Sequence, residues 1–180
     1  MIVEQHVNKL FNSVTYKIGN AIIDPGDFWS GFRNSRVVLL THAHFDHISG
    51  LNKLIEIEPN LRVYTNSIGR EMLLNAKKNL SFYHDTPFVF EYPERIICVE
   101  EDSEIYIDSK ISAKAYFTPG HNPSCITWEI EDAIFTGDSF IPGIKTVTNL
   151  PHSDKRLAEI SEDLIRKLAL DKVIYPGHKL

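Results

Sequence analysis

Cysteine is scarce in this sequence, with two residues, Cys98 and Cys125, in 180. A lone bridge is a weak expectation in a reducing compartment, so both read as small apolar strand residues rather than as a disulfide framework. Long apolar runs are also missing. No segment approaches the ~20 consecutive apolar residues that span a bilayer, and the N-terminus Met1-Ile2-Val3-Glu4-Gln5 lacks a charged region followed by an apolar stretch. The expectation is a soluble, cytoplasmic protein without a membrane partner. There is no excess of positive charge either: the formal net charge is -5, with both signs mixed throughout. A nucleic-acid partner is therefore not expected, because phosphate neutralisation needs a basic stripe. Low-complexity segments, short repeats and a linker are absent as well, so residues 1–180 read as one domain with enough apolar content (43%) for one sizeable core.

What is present is a succession of short β-rich runs closed by turns. Residues 2–11, 13–18 and 20–24 read as a meander ending at Asp24-Pro25-Gly26, and Val37-Val38-Leu39-Leu40 as a fully buried strand. Ser49 or Asn52 is placed to cap a helix carrying Leu51, Leu54 and Ile55 inward. A strand at 62–65 and a helix through about Leu74 follow. Residues 79–93, aromatic and punctuated by proline, read as an ordered loop with packing of its own rather than a lid. The second half repeats the theme, with strands near 95–99, 104–107, 111–117, 124–130, 132–136 and 173–175. A helix from about Ser153 to Ala169 precedes the last of these, and its spacing predicts Leu157, Ile160, Leu164, Ile165 and Leu168 as the buried face. Two β-α halves of this kind build two sheets covered outside by helices.

Chemistry enters with the histidines. His42, His44, Asp46 and His47 fall within six residues at the end of the buried strand. Residues two apart in an extended segment point the same way, so His42 and His44 reach one ion together. Where the chain turns toward a helix, Asp46 and His47 can reach a second. Gathering three imidazoles and a carboxylate without a cation is costly once they are desolvated. The ligand set favours zinc, while iron and manganese also accept it. Three more candidates follow later strands, each beside a glycine: His121 after Gly120, Asp138 after Gly137 and His178 after Gly177.

Thr41-His42-Ala43-His44-Phe45-Asp46-His47, followed by His121, Asp138 and His178, resembles the metallo-β-lactamase-fold hydrolase superfamily, from Asp24-Pro25-Gly26 through His178. The resemblance implies an α/β fold, a four-layer αββα sandwich. It also implies two metal ions, with His42, His44 and His121 on one, Asp46, His47 and His178 on the other, and Asp138 bridging them. Within the superfamily the pattern is most similar to glyoxalase II-like hydrolases, which cleave thioesters such as hydroxyacylglutathione. Glyoxalase II proper carries a C-terminal helical extension that helps hold glutathione. This sequence stops two residues after His178, so a glutathione-holding half is not expected, and the bridging Asp138 separates it from familiar secreted β-lactamases.

The function so implied is hydrolysis of a thioester, ester or lactone carbonyl of a small molecule, with Asp46 as the acid-base residue. Two other classes stay open: a mononuclear iron oxidoreductase similar to persulfide dioxygenases, using His42, His121 and Asp138, and a non-catalytic, metal-stabilised binding module. Asp24 reads either as a group orienting a ligand or as the opening of an Asp-Pro-Gly turn. Thr41 and Thr118 read as strand ends or as supports of the site. Lys145, Tyr83, His84, Asn122 and His152 are pocket candidates by neighbourhood alone, and residues 79–93 and 139–152 are expected to build the pocket.

Overall fold

The computed structural model describes residues 1–179. Six strands form the first sheet in the order of the chain: β1 (Glu4–Val7), β2 (Val14–Ile18), β3 (Ala21–Ile23), β4 (Val37–Leu39), β5 (Arg62–Thr65) and β6 (Ile96–Cys98). The first three pair antiparallel, and β3 through β6 run parallel. The second sheet has the order β11-β10-β9-β8-β7, built from β7 (Glu104–Tyr106), β8 (Ser112–Phe117), β9 (Ile126–Ile130), β10 (Ala133–Gly137) and β11 (Val173–Pro176). β10 and β11 are parallel, joined by the helix α4 (Lys155–Leu168).

Side-chain alternation explains the layering. Ala21 and Ile23 of β3 and Val37 and Leu39 of β4 face the second sheet, where they join Ala113, Ala115, Trp128 and Phe135 in a shared core. Their neighbours Ile22, Val38 and Leu40 face outward and are covered by α1 (Phe45–Ile48), α2 (Leu51–Ile57) and α3 (Ser67–Leu73) through Ile48, Leu51, Leu54 and Met72. Strands buried on both faces read as continuous apolar runs, which is what Val37-Val38-Leu39-Leu40 is. On the outer face of the second sheet, Ile134 and Ile174 pack under Ile165 of α4. The result is the αββα sandwich that the sequence implied. Trp128 ties the layers across the core, its indole N–H donating to the Leu40 carbonyl at 2.9 Å.

Several local expectations change. The first strand is Glu4–Val7, not 2–11, because the chain turns through Asn8–Asn12, with Phe11 and Asn12 both at positive φ (53° and 56°). Neither Ser49 nor Asn52 caps α2: Ser49 donates to the Gly26 carbonyl, and Asn52 ties down the backbone of Val89 and Glu91. Leu157 and Ile160 of α4 are exposed, and its buried face is Ala158, Ser161 and Ile165. Cys125 is a buried thiol, whereas Cys98 at the end of β6 is exposed. The loop over 79–93 packs as expected, with Phe88 and Phe90 in the outer core and the buried Asn79 amide donating to the carbonyls of Met72 and Phe88.

Candidate metal centre

The strands deliver their C-terminal ends to one place. β3 leads into Asp24, β4 into the stretch carrying His42, β8 into the loop carrying His121, β10 into Asp138, and β11 into His178. Helix α1 begins at once after His44, and that turn of chain presents Asp46 and His47 to the same spot. Three sets of side chains there have ligand atoms within 4.8 Å of one another: His42, His44 and His121; Asp46, His47 and His178; and Asp24, His42 and His47. Asp138 touches members of both of the first two, with Oδ2 at 3.5 Å from His121 Nε2 and 3.2 Å from His178 Nε2, and Oδ1 at 3.5 Å from His47 Nε2.

Most of the rings are held from behind. His47 Nδ1 donates to Asp24 Oδ2 at 3.1 Å, His121 Nδ1 to the Val147 carbonyl at 3.0 Å, and His178 Nδ1 to the Phe11 carbonyl at 2.9 Å. Each contact leaves Nε2 facing the cluster. Such outer partners fix the ring orientation and tautomer of metal-binding histidines. His44 is turned the other way, with Nδ1 3.0 Å from His121 Nε2 and Nε2 2.8 Å from the Asn122 amide nitrogen. Asn122 is itself locked, its side-chain oxygen accepting from the Ser124 N–H and hydroxyl.

The electrostatics divide the cluster in two. Burial drives His44 down to about 3, with the neighbouring His121 adding to the effect, and burial likewise lowers His42 and His121. Neutral imidazoles are the form that binds metals. Burial opposes the charge on His47 too, but Asp46, Asp138 and Asp24 outweigh it and raise His47 to about 10. Burial also works against ionised Asp138, yet His47, His178 and His121 together hold its carboxyl below the usual range. The carboxylate side of the cluster therefore holds on to positive charge, and the imidazole side offers lone pairs. Six buried side-chain atoms among the described residues have no hydrogen-bond partner, and two of them, His42 Nε2 and Asp138 Oδ1, are in this cluster. Buried polar groups left unpaired are rare and costly, and these two lie among the candidate ligands.

A model of the metallo-beta-lactamase superfamily matches residues 14–178. The chain belongs to that superfamily. Among its curated relatives, a hydroxyacylglutathione hydrolase of Tolumonas auensis is 25% identical over 171 residues, covering 88% of this chain and 56% of that protein. The probable metallo-hydrolase YqgX of Bacillus subtilis is 30% identical over 145 residues, covering 78% and 67%. An atrochrysone carboxyl ACP thioesterase of Aspergillus fumigatus is 31% identical over 147 residues, covering 78% and 37%. The chain thus spans little more than half the length of the first of these and about a third of the last. Two solved structures share the fold across nearly the whole of both chains. One is the BLEG-1 B3 metallo-beta-lactamase, with a TM-score of 0.87, 23% identity and coverage of 99% and 92%. The other is a protein crystallised in a di-iron-bound form, with a TM-score of 0.82, 21% identity and coverage of 98% and 92%.

For this superfamily member, the seven side chains singled out in the sequence all converge: His42, His44, Asp46, His47, His121, Asp138 and His178. Asp24 belongs with them as the acceptor for His47 and for the Thr41 N–H at 2.7 Å, and the Thr41 hydroxyl also donates to it. Thr118 supports the site from within the second sheet, its hydroxyl 2.9 Å from that of Thr127 and 3.2 Å from that of Ser139. Above the cluster opens a cavity of about 420 Å³, which Tyr83 and His84 line as expected. Asn122 lies under His44 instead of in the cavity, and Lys145 lines a separate cavity of about 20 Å³. His152 is exposed and stands apart from both. Phe11 was missed, although Asn8 and Asn12 are turn-forming residues that could have broken the long first strand.

Proposed function

We propose that this protein is a binuclear metal-dependent hydrolase acting on the carbonyl of a small thioester, ester or lactone. The observation that carries the proposal is the pair of unpartnered buried atoms, His42 Nε2 and Asp138 Oδ1, inside a convergent set of five histidines and two aspartates. A cation satisfies each of them, so the residues fit the group. His42, His44 and His121 would hold one ion, Asp46, His47 and His178 the other, with Asp138 between them. Zinc suits this donor set, and iron and manganese are accepted by it. Bound divalent ions supply Lewis acidity toward the carbonyl and a water acidic enough to ionise near neutral pH.

The remaining work falls to the chain. Asp46 and Asp138 both line the cavity, but Asp138 is committed to three histidines. Asp46 contacts His47 and His178, each at 3.4 Å, and is the carboxylate left to take a proton from the attacking water and return it to the leaving group. The hydrolase and thioesterase names of the relatives support this reading of the reaction class.

The test is metal content of protein purified without added metal, paired with hydrolysis of a thioester panel before and after chelation. About two metal ions per chain and cleavage abolished by chelator are expected. One iron per chain with oxygen uptake on a persulfide would overturn the reaction in favour of an oxidoreductase. Bound metal with no turnover on any carbonyl class would reduce the protein to a metal-stabilised binding module.

A further inference from the structure

Beside Phe45 at the start of α1, the apolar walls of the 420 Å³ cavity come from three separate segments. Phe11 enters from the β1–β2 turn, Leu80 and Tyr83 from the loop over 79–93, and Val147, Leu150 and Pro151 from the loop over 139–152. The volume lies within the range of small-molecule sites, ~300–1,000 Å³. Phe11, Tyr83 and Val147 are 63%, 72% and 46% exposed, so the apolar side chains continue outward around the mouth. Exposed apolar groups gathered at one place mark a contact surface, whereas scattered ones do not.

The polar groups are the metal cluster, His84 and the uncharged hydroxyl of Tyr83. Among the described residues, no lysine or arginine lines this cavity. Lys145 lines the separate small cavity, which shares His121, Asp138 and Val147 with the larger one. A carboxylate carried by a substrate into the apolar walls would lose water without meeting a cationic side chain. An uncharged apolar group placed there loses nothing and buries surface against aromatic and aliphatic neighbours.

We infer that this pocket selects substrates whose body is uncharged and apolar, an aryl or alkyl thioester or ester, over thioesters of a carboxylate-bearing thiol such as glutathione. The inference rests on the hydrolase reading above and names its substrate class. Phe11, Tyr83 and Leu150 are the specificity-determining side chains, since they form the wall against which the substrate body lies.

Two thioethers that share a benzyl group test it without turnover: S-benzyl-N-acetylcysteamine, which is neutral, and S-benzylglutathione, which is anionic. Titration calorimetry on the metal-loaded protein should show the neutral compound binding at least ~10-fold tighter. Tyr83→Ala and Leu150→Ala should each weaken it several-fold, and Lys145→Ala should leave it unchanged. Equal or tighter binding of S-benzylglutathione, or its selective loss in Lys145→Ala, would overturn the inference. The matching benzoyl thioesters then separate the two claims. A neutral preference in binding with no cleavage of either thioester or of matching benzoyl esters and lactones ends the hydrolase reading and leaves the pocket's selection standing. Cleavage of both with the glutathione thioester favoured keeps the reaction and ends the selection.

Discussion

At the scale of single residues, the cluster depends on groups beyond the seven ligands assigned to the two ions. Asp24 accepts from His47 Nδ1, the Thr41 N–H and the Thr41 hydroxyl while almost fully buried. Removing the carboxylate leaves those donors unpaired, at a cost of about 1–3 kcal/mol for each group that finds no substitute. Asp24→Ala is therefore expected to lower the urea midpoint and to weaken metal retention by about 10–100-fold in a chelator competition. Retention equal to wild type would show that His47 needs no partner. Gly177 imposes a different constraint. A Cβ there would sit 2.2 Å from Asp138 Oδ1 and 2.8 Å from the Gly137 backbone, so Asp138 has to swing away. Gly177→Ala should keep its circular dichroism and lose at least one equivalent of metal, and full loading would count against Asp138 as the bridging group. Asp24 was legible in the sequence only as half of an ambiguity, since Asp-Pro-Gly is a turn whether or not the carboxylate works. The backbone of Gly177 was legible as a tight turn, but the closeness of Asp138 was not, because it depends on β10 and β11 lying side by side.

At the scale of elements, α4 shows where periodicity misleads. Leu157, Ile160, Leu164, Ile165 and Leu168 make an apolar stripe at helical spacing, yet the helix is rotated so that Ala158, Ser161 and Ile165 meet the sheet. The reason is close approach. Gly120, at φ +136°, brings the backbone beside His121 against the first turn of α4, where a Cβ would lie 2.2 Å from the Ala158 nitrogen. Ser161 donates to the Pro119 carbonyl and Ser153 to the His121 carbonyl, while Asp154 caps the helix through the Leu157 N–H. Small residues are needed where two backbones nearly touch, and a scale that rewards large apolar side chains cannot see that. Ile160→Lys should change stability by no more than about 0.5 kcal/mol, whereas Ile165→Ala should cost about 2–5 kcal/mol. Denaturant unfolding of both variants measures this, and a reversal of the two would place the stripe back on the core. The strands were easier to read. Those of the first sheet that are buried on both faces are continuous apolar runs, and the largest overextension was at β1, through turn residues that include the pocket-forming Phe11.

At the scale of the whole molecule, the cluster joins the two halves of the sandwich. His42, His44, Asp46 and His47 follow β4 of the first sheet, whereas His121, Asp138 and His178 follow β8, β10 and β11 of the second. The sequence showed these residues as local motifs and showed the layers as two β-α halves. Their meeting point required the sheets to be packed face to face, with parallel strands pointing their C-terminal ends the same way. The apolar core between the sheets contains none of these ligands, so it persists without them. A cation binding residues from both halves nevertheless opposes their separation, because it binds the folded chain and not the unfolded one. At a free concentration ~100 times its dissociation constant, one ion adds about 2.7 kcal/mol. For a chain of this size each kcal/mol moves the melting midpoint by about 2–4 °C. Chelation is therefore expected to lower the midpoint by roughly 5–10 °C for each ion removed, with far-UV circular dichroism at 25 °C unchanged and full recovery on adding zinc back. A midpoint indifferent to chelator and to added metal would mean that these seven side chains do not bind a cation in the folded state, and the hydrolase reading would fall with it.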